Sequence, residues 1–373
     1  MKILHICSYY VGSLVYKKLF ESLDSEERVS KQYVWVPVRK HHHEGKNLSS
    51  KKKIKIIYVK SLDRFTRLSF LYKLLRLVLS FHRDQKRADI LQGCNVIHAH
   101  TLYSDGYLAY WLSRKYQIPY VLSIRTTDVS VFERFLPHWR WMTRRVIANA
   151  QCLIFISPAH KITIEAKYAN DLPKTLLVTN GLDEYWISNA ICSSAPERSK
   201  ARSGIYIGEI NANKNIKRAI LAFFKIADDN DATFTVLGGE YSTFSAIYGE
   251  IPEVLRSRVD FISRTEDKQC IKELLRQHQV LIMPSFMETF GLTYLEAISQ
   301  CVPVVFSHGQ GIDGLYPEGM VGFSCDPSRE ESIADAILNV FKHFPEGLIF
   351  EGNNPVEDYS WQSRAQILMK NAY

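Results

Sequence analysis

Two glutamates with seven residues between them, Glu288 and Glu296, lie in Met283-Pro284-Ser285-Phe286-Met287-Glu288-Thr289-Phe290-Gly291-Leu292-Thr293-Tyr294-Leu295-Glu296-Ala297-Ile298. Ionised carboxylates only accept hydrogen bonds and suit hydroxyl pairs, which sugars and ribose both offer. The surrounding pattern predicts a strand, Val280–Met283, broken by Pro284, then a loop and a helix opening near Leu292. Gly291 lets the backbone approach a ligand closely, and the first helical turn offers free N–H groups. Such a terminus holds anions, a diphosphate for instance, through oriented donors and the helix dipole. Carboxylates beside a diphosphate would repel it, so hydroxyls are their expected partners. Glu296, about one turn inside the helix, is placed for ribose, and Glu288 for a second sugar. Two isolated glutamates would more simply be solvated acids; the strand–loop–glycine–helix context favours the site.

The elements around this segment alternate short apolar strands with amphipathic helices, the pattern of parallel βαβ units. Strands are expected at Lys2–Cys7, Tyr33–Pro37, Ile54–Val59, Val96–His100, Tyr120–Ile124, Cys152–Ile156 and Leu176–Val178. Helices are expected at Val15–Leu23, Gly106–Tyr116 and Arg140–Ala150. A second series follows at Gly204–Ile207, Phe234–Leu237, Val259–Phe261, Val280–Met283 and Val302–Phe306. The composition shift around Ser193-Ser194-Ala195-Pro196 reads as a linker. The expected domains are 1–186, joined by a C-terminal crossover helix within 355–373, and 204–354, with 187–203 as linker. Doubly wound domains carry ligand loops at the carboxyl ends of their strands, and a cleft between two of them is the default site.

The glutamate segment resembles the E-x7-E signature of retaining GT-B glycosyltransferases, family 4 (glycosyl transferases group 1). It matches that signature at Ser285, Glu288, Phe290, Gly291, Leu292, Glu296 and Ala297, with Thr289 where glycine or serine is usual. Val178-Thr179-Asn180-Gly181-Leu182-Asp183 resembles the family's NGVD segment, and Gly208-Glu209-Ile210-Asn211-Ala212-Asn213-Lys214-Asn215 its GR…KG loop. Asp358-Tyr359-Ser360-Trp361 resembles the start of its crossover helix. The resemblance implies an α/β fold of two Rossmann-like doubly wound domains facing across a cleft (GT-B).

It also implies roles. Glu288 would bind donor-sugar hydroxyls, the amides of Phe290, Gly291, Leu292 and Thr293 would cradle sugar and diphosphate, and Glu296 would hold ribose. Lys214 would neutralise the diphosphate and assist its departure, a charge-assisted contact of roughly 1.5–3 kcal/mol, and Gly208 and Glu209 on the same loop would be among the donor-binding residues. Arginine is usual in the family where this chain has Glu209, so half of the cationic clamp is replaced by an acid. A structural salt bridge is the plainer role for that acid.

On the acceptor side, Tyr9-Tyr10-Val11-Gly12-Ser13 follows the first strand and resembles the family's glycine-bearing acceptor loop at Gly12. In Val96-Ile97-His98-Ala99-His100, one of the two alternating histidines is expected in the core, and the resemblance places His100 at the cleft. Arg125, in Ser123-Ile124-Arg125-Thr126-Thr127-Asp128, stands where many relatives have histidine. It cannot act as a base, but it could bind donor phosphate or an anionic acceptor, with Asp128 orienting it. No side chain is assigned as general base, because in a retaining reaction the departing phosphate can take the acceptor proton.

The chain has 373 residues, 46% of them hydrophobic and 23% charged, a composition that suits soluble globular domains. Its seven cysteines form no CxxC pair, which argues against a zinc site or a disulfide framework. Met1–Ile6 reads as a strand rather than a secretion signal, and no apolar run spans a bilayer, so a cytoplasmic location is expected. The net charge of +8 fits acidic substrates, anionic lipid or a solvated surface, while no zinc-finger or RNP pattern supports nucleic acid. Arg64–Leu79, apolar and rimmed with cations, reads either as a helix packed on the sheet or as peripheral contact with the inner face of an anionic membrane.

Two motifs are decoys. Gly309-Gln310-Gly311-Ile312-Asp313-Gly314 matches GxGxxG, but Pro317, Gly319 and Gly322 deny it the required helix. Asp229-Asn230-Asp231 imitates a DxD metal motif at the wrong edge of the sheet, so no metal and no cofactor are expected. The resemblance therefore implies a retaining hexosyltransferase using a nucleotide-diphosphate sugar, a UDP-sugar first, and a glycan or lipid-linked acceptor in surface polysaccharide synthesis. A catalytically silent nucleotide-sugar-binding protein and a GT-B nucleotide-sugar epimerase are the alternatives.

Overall fold

The computed structural model describes all residues except 41–42, 133–135, 194–201 and 228, with the side chains at 130 and 132 also left out. Much of the expected linker, 187–203, therefore lies outside the described residues. The chain forms two compact units. One comprises Met1–Ile156, His160–Gly181 and Trp361–Tyr373, and the other Ser157–Ala159 and Leu182–Ser360.

The first unit holds a parallel sheet of β1 (Lys2–Ile6), β2 (Lys31–Val38), β3 (Ile54–Lys60), β4 (Val96–Ala99), β5 (Tyr120–Ile124), β6 (Cys152–Phe155) and β7 (Lys174–Leu177), in the order β3-β2-β1-β4-β5-β6-β7. The central strands are buried along nearly their whole length, which is why they read as continuous apolar runs. One face packs Leu77, Phe81, Leu108 and Val146, and the other packs Leu19, Phe20 and Leu23. The C-terminal helix Trp361–Asn371 adds Ala365, Leu368 and Met369 to that second face. A Cβ at Gly181 would lie 2.5 Å from the Trp361 ring, so glycine there lets this helix close onto the unit.

The second unit holds β8 (Ser203–Ile207), β9 (Thr233–Leu237), β10 (Val259–Ile262), β11 (Val280–Met283), β12 (Val304–Ser307) and β13 (Gly322–Cys325), in the order β10-β9-β8-β11-β12-β13. Both sheets reverse direction of winding once, between β1 and β4 and between β8 and β11. Ligands bind outside the carboxyl ends of strands at such switch points. Strand β13 was not expected from the sequence, since Gly-Phe-Ser-Cys has neither length nor β-branched residues. It forms by pairing with β12 from Val304–Gly322 to Ser307–Cys325.

The cationic stretch Arg64–Leu79 is not one helix. A 3₁₀ turn, Phe65–Arg67, precedes Ser69, whose hydroxyl accepts from the Tyr72 N–H at 3.2 Å and starts a new helix, Phe70–Arg83. No helix among the described residues is long and apolar enough to cross a membrane.

Candidate functional site

In the second unit, the loops after β8 and β11 meet at the switch point. Lys214 ends a 3₁₀ turn, Ala212–Lys214, and its Nζ lies 2.7 Å from Glu288 Oε2. Asn213 ties the two loops together. Its Nδ2 donates to the Met287 carbonyl at 2.8 Å, its Oδ1 accepts from the Met287 N–H at 2.9 Å, and its own carbonyl accepts from Phe286 at 2.9 Å. This two-way amide clamp was not singled out from the sequence, although Asn213 stands in the quoted loop. An asparagine next to the cation, able to donate and accept at once, is the signal that could have found it.

The backbone of Glu288 is held from the other side. Its N–H donates to Gln310 Oε1 at 3.2 Å and its carbonyl accepts from the Gly311 N–H at 3.1 Å. The GxGxxG decoy is thus a turn bracing the glutamate loop, without the helix that a dinucleotide motif requires.

The helix Leu292–Ser299 starts from Gly291, which has φ +77° and gives no side-chain cap. A Cβ at Gly291 would lie 2.5 Å from the Tyr294 ring, while the Tyr294 hydroxyl donates to the Met283 carbonyl at 2.7 Å. The ring thus locks the first helical turn against the end of β11. Phe290 is buried, Leu292 and Thr293 are half-buried, and Glu296 is half-buried on the helix. The Gly291 cap supplies no side-chain hydrogen bond, and the helix start stands near one cation, Lys214, and two carboxylates, Glu288 and Glu296, a chemistry suited to an anion.

At the carboxyl ends of β8, β9 and β10 lies a cavity of about 300 Å³, lined by Ile207, Gly208, Glu209, Leu237, Gly238, Arg264, Thr265 and Ile271. Gly238 has φ +148°, and a Cβ there would collide with the Gly208 carbonyl, so the ends of β8 and β9 approach closely only because it is glycine. Glu209 is exposed and accepts from the neutral Asn211 amide at 3.4 Å, in place of the salt bridge considered from sequence. Arg264 and Thr265, on the loop after β10, were missed because a lone cation in a polar loop carries no spacing signal. Asp229-Asn230-Asp231 precedes β9 at the amino end of the sheet, away from these loops.

In the first unit, the residues expected on the acceptor side from the sequence group at the ends of β1, β4 and β5. Gly12 closes the turn Tyr10–Gly12, with room for a Cβ. Asp128 does not orient the Arg125 side chain, as the sequence suggested. Its carboxylate accepts backbone N–H groups of Arg125 at 3.0 Å, Leu102 at 3.0 Å and Tyr103 at 3.1 Å. A short side chain inside a turn reaches local backbone donors more readily than a long guanidinium. The Arg125 guanidinium instead lies over the Tyr16 ring, 4.7 Å from its centroid, with Nη1 3.5 Å from Asn180 Oδ1. Asp105, not singled out from sequence, accepts the Ser8 N–H at 3.1 Å together with the Ser8 hydroxyl, fixing the loop after β1. Burial pushes Asp105 up to about 6 and Asp128 up to about 7.

The expectation that only one of His98 and His100 enters the core is corrected. Residues two apart in a strand share a face, and the two rings stack at 4.0 Å, both fully buried. His5 joins them from β1, with Nδ1 3.1 Å from His100 Nε2. His5 Nε2 lies 3.2 Å from Gln32 Oε1, and His98 Nε2 lies 2.8 Å from Ser123 Oγ. Among the described residues these three imidazoles are the group close enough to hold a metal ion. Burial lowers the basicity of all three, to about 3 for His5; His5 and His100 are hydrogen-bonded to each other, while His98 stacks on His100.

Comparison with known proteins bears on both units. The Glycosyltransferase Family 4 model matches residues 39–185, and the model Glycosyl transferases group 1 matches residues 193–346. The chain is 22% identical to the putative teichuronic acid biosynthesis glycosyltransferase TuaC of Bacillus subtilis, over 70% of this chain and 64% of that one. Across the first curated relatives the matched share of their length is 67%, 60% and 64%. Sucrose-phosphate synthase from Thermosynechococcus elongatus superposes with a TM-score of 0.72 and 16% identity, covering 99% of this chain and 98% of that one. Anabaena HepE, solved in complex with UDP and glucose, superposes with a TM-score of 0.65 and 15% identity, covering 99% and 98%. Two adjoining family models, two Rossmann-type sheets and full-length structural likeness lead to one conclusion: the chain belongs to the group 1 glycosyl transferases and has the GT-B fold.

Proposed function

We propose that the protein is a retaining glycosyltransferase that moves a hexose from a UDP-sugar to a glycan or lipid-linked acceptor in surface polysaccharide synthesis. The observation that carries this reading is the Lys214–Glu288 pair at the uncapped N-terminus of Leu292–Ser299. The first-turn amides and Lys214 take the diphosphate, with oriented donors worth most in a water-excluded site. Glu288, freed from Lys214 by the incoming anion, accepts hydroxyls of the transferred sugar. Glu296 accepts the ribose hydroxyls, and the cavity of about 300 Å³ receives the base. The UDP-sugar assignment is supported by the UDP complex of HepE, and the polysaccharide role by the name of TuaC.

Charge neutralisation by Lys214 and the amides lets the reaction run without a metal ion. As the bond from the anomeric carbon to the phosphate oxygen breaks, the acceptor oxygen bonds to that carbon from the same face and gives its proton to the departing phosphate oxygen, so configuration is retained. Arg125, on the acceptor side, steers an anionic acceptor. Catalysis takes place in the cytoplasm.

Glu209 favours a second reading, a protein that binds nucleotide sugar without turnover, because an acid stands where the family's second cation is usual. Mass spectrometry of products from a panel of nucleotide sugars with crude glycolipid acceptors separates the two. A glycosylated product supports transfer, and the anomeric proton coupling in its NMR spectrum, matched to that of the donor, supports retention. Donor binding with neither transfer nor hydrolysis supports the second reading.

A further inference from the structure

The helix Phe70–Arg83 is apolar on two sides. One side is spent on the core, where Leu77 and Phe81 are fully buried. The other side still presents Leu71, Leu75 and Leu79, at 65%, 53% and 39% exposure, one turn apart along the helix. Leu68, at 83% exposure, extends that row, and Phe65 and Trp141 flank it. Isolated exposed leucines need no explanation, but a row of them does.

The row runs between two grooves. At its start, Leu68, Phe70, Leu71, Leu136, Trp139 and Trp141 line an apolar groove of about 500 Å³. At its end, a groove of about 430 Å³ beside Leu79 carries Lys60, Arg76, Arg83 and Lys86, with Asp84 in its lining and Asp63 3.9 Å from Arg76, so the cations still outnumber the acids. From Arg64 to Arg83 the chain has five Lys or Arg and no Asp or Glu.

We propose that this face docks on an anionic lipid bilayer. The leucine row and Trp141 enter the boundary between headgroups and acyl chains, and the cationic groove holds lipid phosphates. An amphipathic helix lying in the interface needs this pairing of apolar area with cations. A second copy of the chain fits poorly, since facing copies would set five cations against five. A soluble anion would use the cations and leave the leucines in water.

Flotation with vesicles tests this without any donor or acceptor, so its outcome is independent of transfer activity. The full chain floats with phosphatidylglycerol vesicles at low salt, not with phosphatidylcholine vesicles, and salt weakens the binding. The variant Leu71→Ser/Leu75→Ser/Leu79→Ser loses at least tenfold in vesicle affinity, and Arg76→Gln/Arg83→Gln flattens the salt dependence. A fluorophore on Leu68→Cys, placed outside the helix in a chain whose partly exposed Cys94, Cys192 and Cys270 are replaced by serine, shifts to the blue with phosphatidylglycerol vesicles and serves if the triple variant does not fold. Absence of flotation at low salt, an unshifted label, or undiminished binding by the leucine variant would overturn the proposal. So would self-association that the leucine substitutions abolish, which would make this face a contact between copies.

Discussion

Lys214 and Glu288, 74 residues apart in sequence, meet at 2.7 Å with both side chains largely shielded from solvent. The cation proposed for the diphosphate is thus held by the carboxylate proposed for the sugar. Donor binding has to redistribute this pair, and the two residues are therefore coupled. Removing either one changes what the other can do.

Lys214→Ala should weaken UDP binding by about 1.5–3 kcal/mol, roughly tenfold to more than hundredfold, the usual worth of a charge-assisted contact. Uridine, which has no phosphate, should bind the variant as it binds the parent protein. Calorimetric titration of both ligands checks this. An equal loss for uridine would remove Lys214 from the diphosphate site.

Glu288→Ala should behave in the opposite way. It frees Lys214 for the diphosphate, so UDP affinity holds or rises, while transfer falls on the order of 10²–10³-fold as hydroxyl contacts at the reacting sugar are lost. Steady-state assays alongside UDP titration separate the two effects. Unchanged turnover would remove Glu288 from the reaction.

Glu296→Ala should mainly weaken nucleotide binding, by about 1–2 kcal/mol for the lost hydroxyl contacts. The 2′,3′-dideoxy nucleotide is the control, because it already lacks the hydroxyls and should bind parent and variant alike. A loss of the same size with the dideoxy nucleotide would assign Glu296 to another contact.

Strand β11, the loop break at Pro284 and the helix after Gly291 were legible because each depends on local chemistry: an apolar run, a missing N–H and a backbone turn that only glycine takes easily. The expected bounds of β5 and β11 agree with the structure for the same reason. Strand β13 was not legible, because its pairing with β12 is a tertiary event. The amide clamp of Asn213, the Gln310 contact to Glu288 and the Asp105–Ser8 pair all join residues distant in sequence, and spacing carries no trace of them. The histidine error had a different origin, since strand periodicity alone puts His98 and His100 on one face.

Gly291→Ala should destabilise the second unit by about 1–3 kcal/mol, because a non-glycine residue is strained at φ +77°. The new methyl would also meet the Tyr294 ring at 2.5 Å and push it from the Met283 carbonyl. Thermal unfolding with and without UDP checks this. A variant as stable as the parent would mean that the loop tolerates another path.

The buried imidazoles predict acid sensitivity with a definite sign. His5 falls from 6.5 to about 3, and His98 and His100 are also lowered, burial being the main cause in each. Below about pH 6.5 the unfolded chain therefore takes up protons that the folded chain refuses, and stability drops as pH falls. Asp105 and Asp128 act in the other direction, since their folded forms hold protons up to about 6 and about 7 while the unfolded forms release them near 3.8. Their contribution declines as pH rises through that window. Three imidazoles outnumber two carboxyls, so the urea midpoint should be lower at pH 5 than at pH 7. His5→Gln should flatten this dependence, and Asp128→Asn should steepen it, because it removes the opposing slope. Midpoints that stay level from pH 7 to pH 5 in all three proteins would mean that these groups titrate alike in folded and unfolded chains.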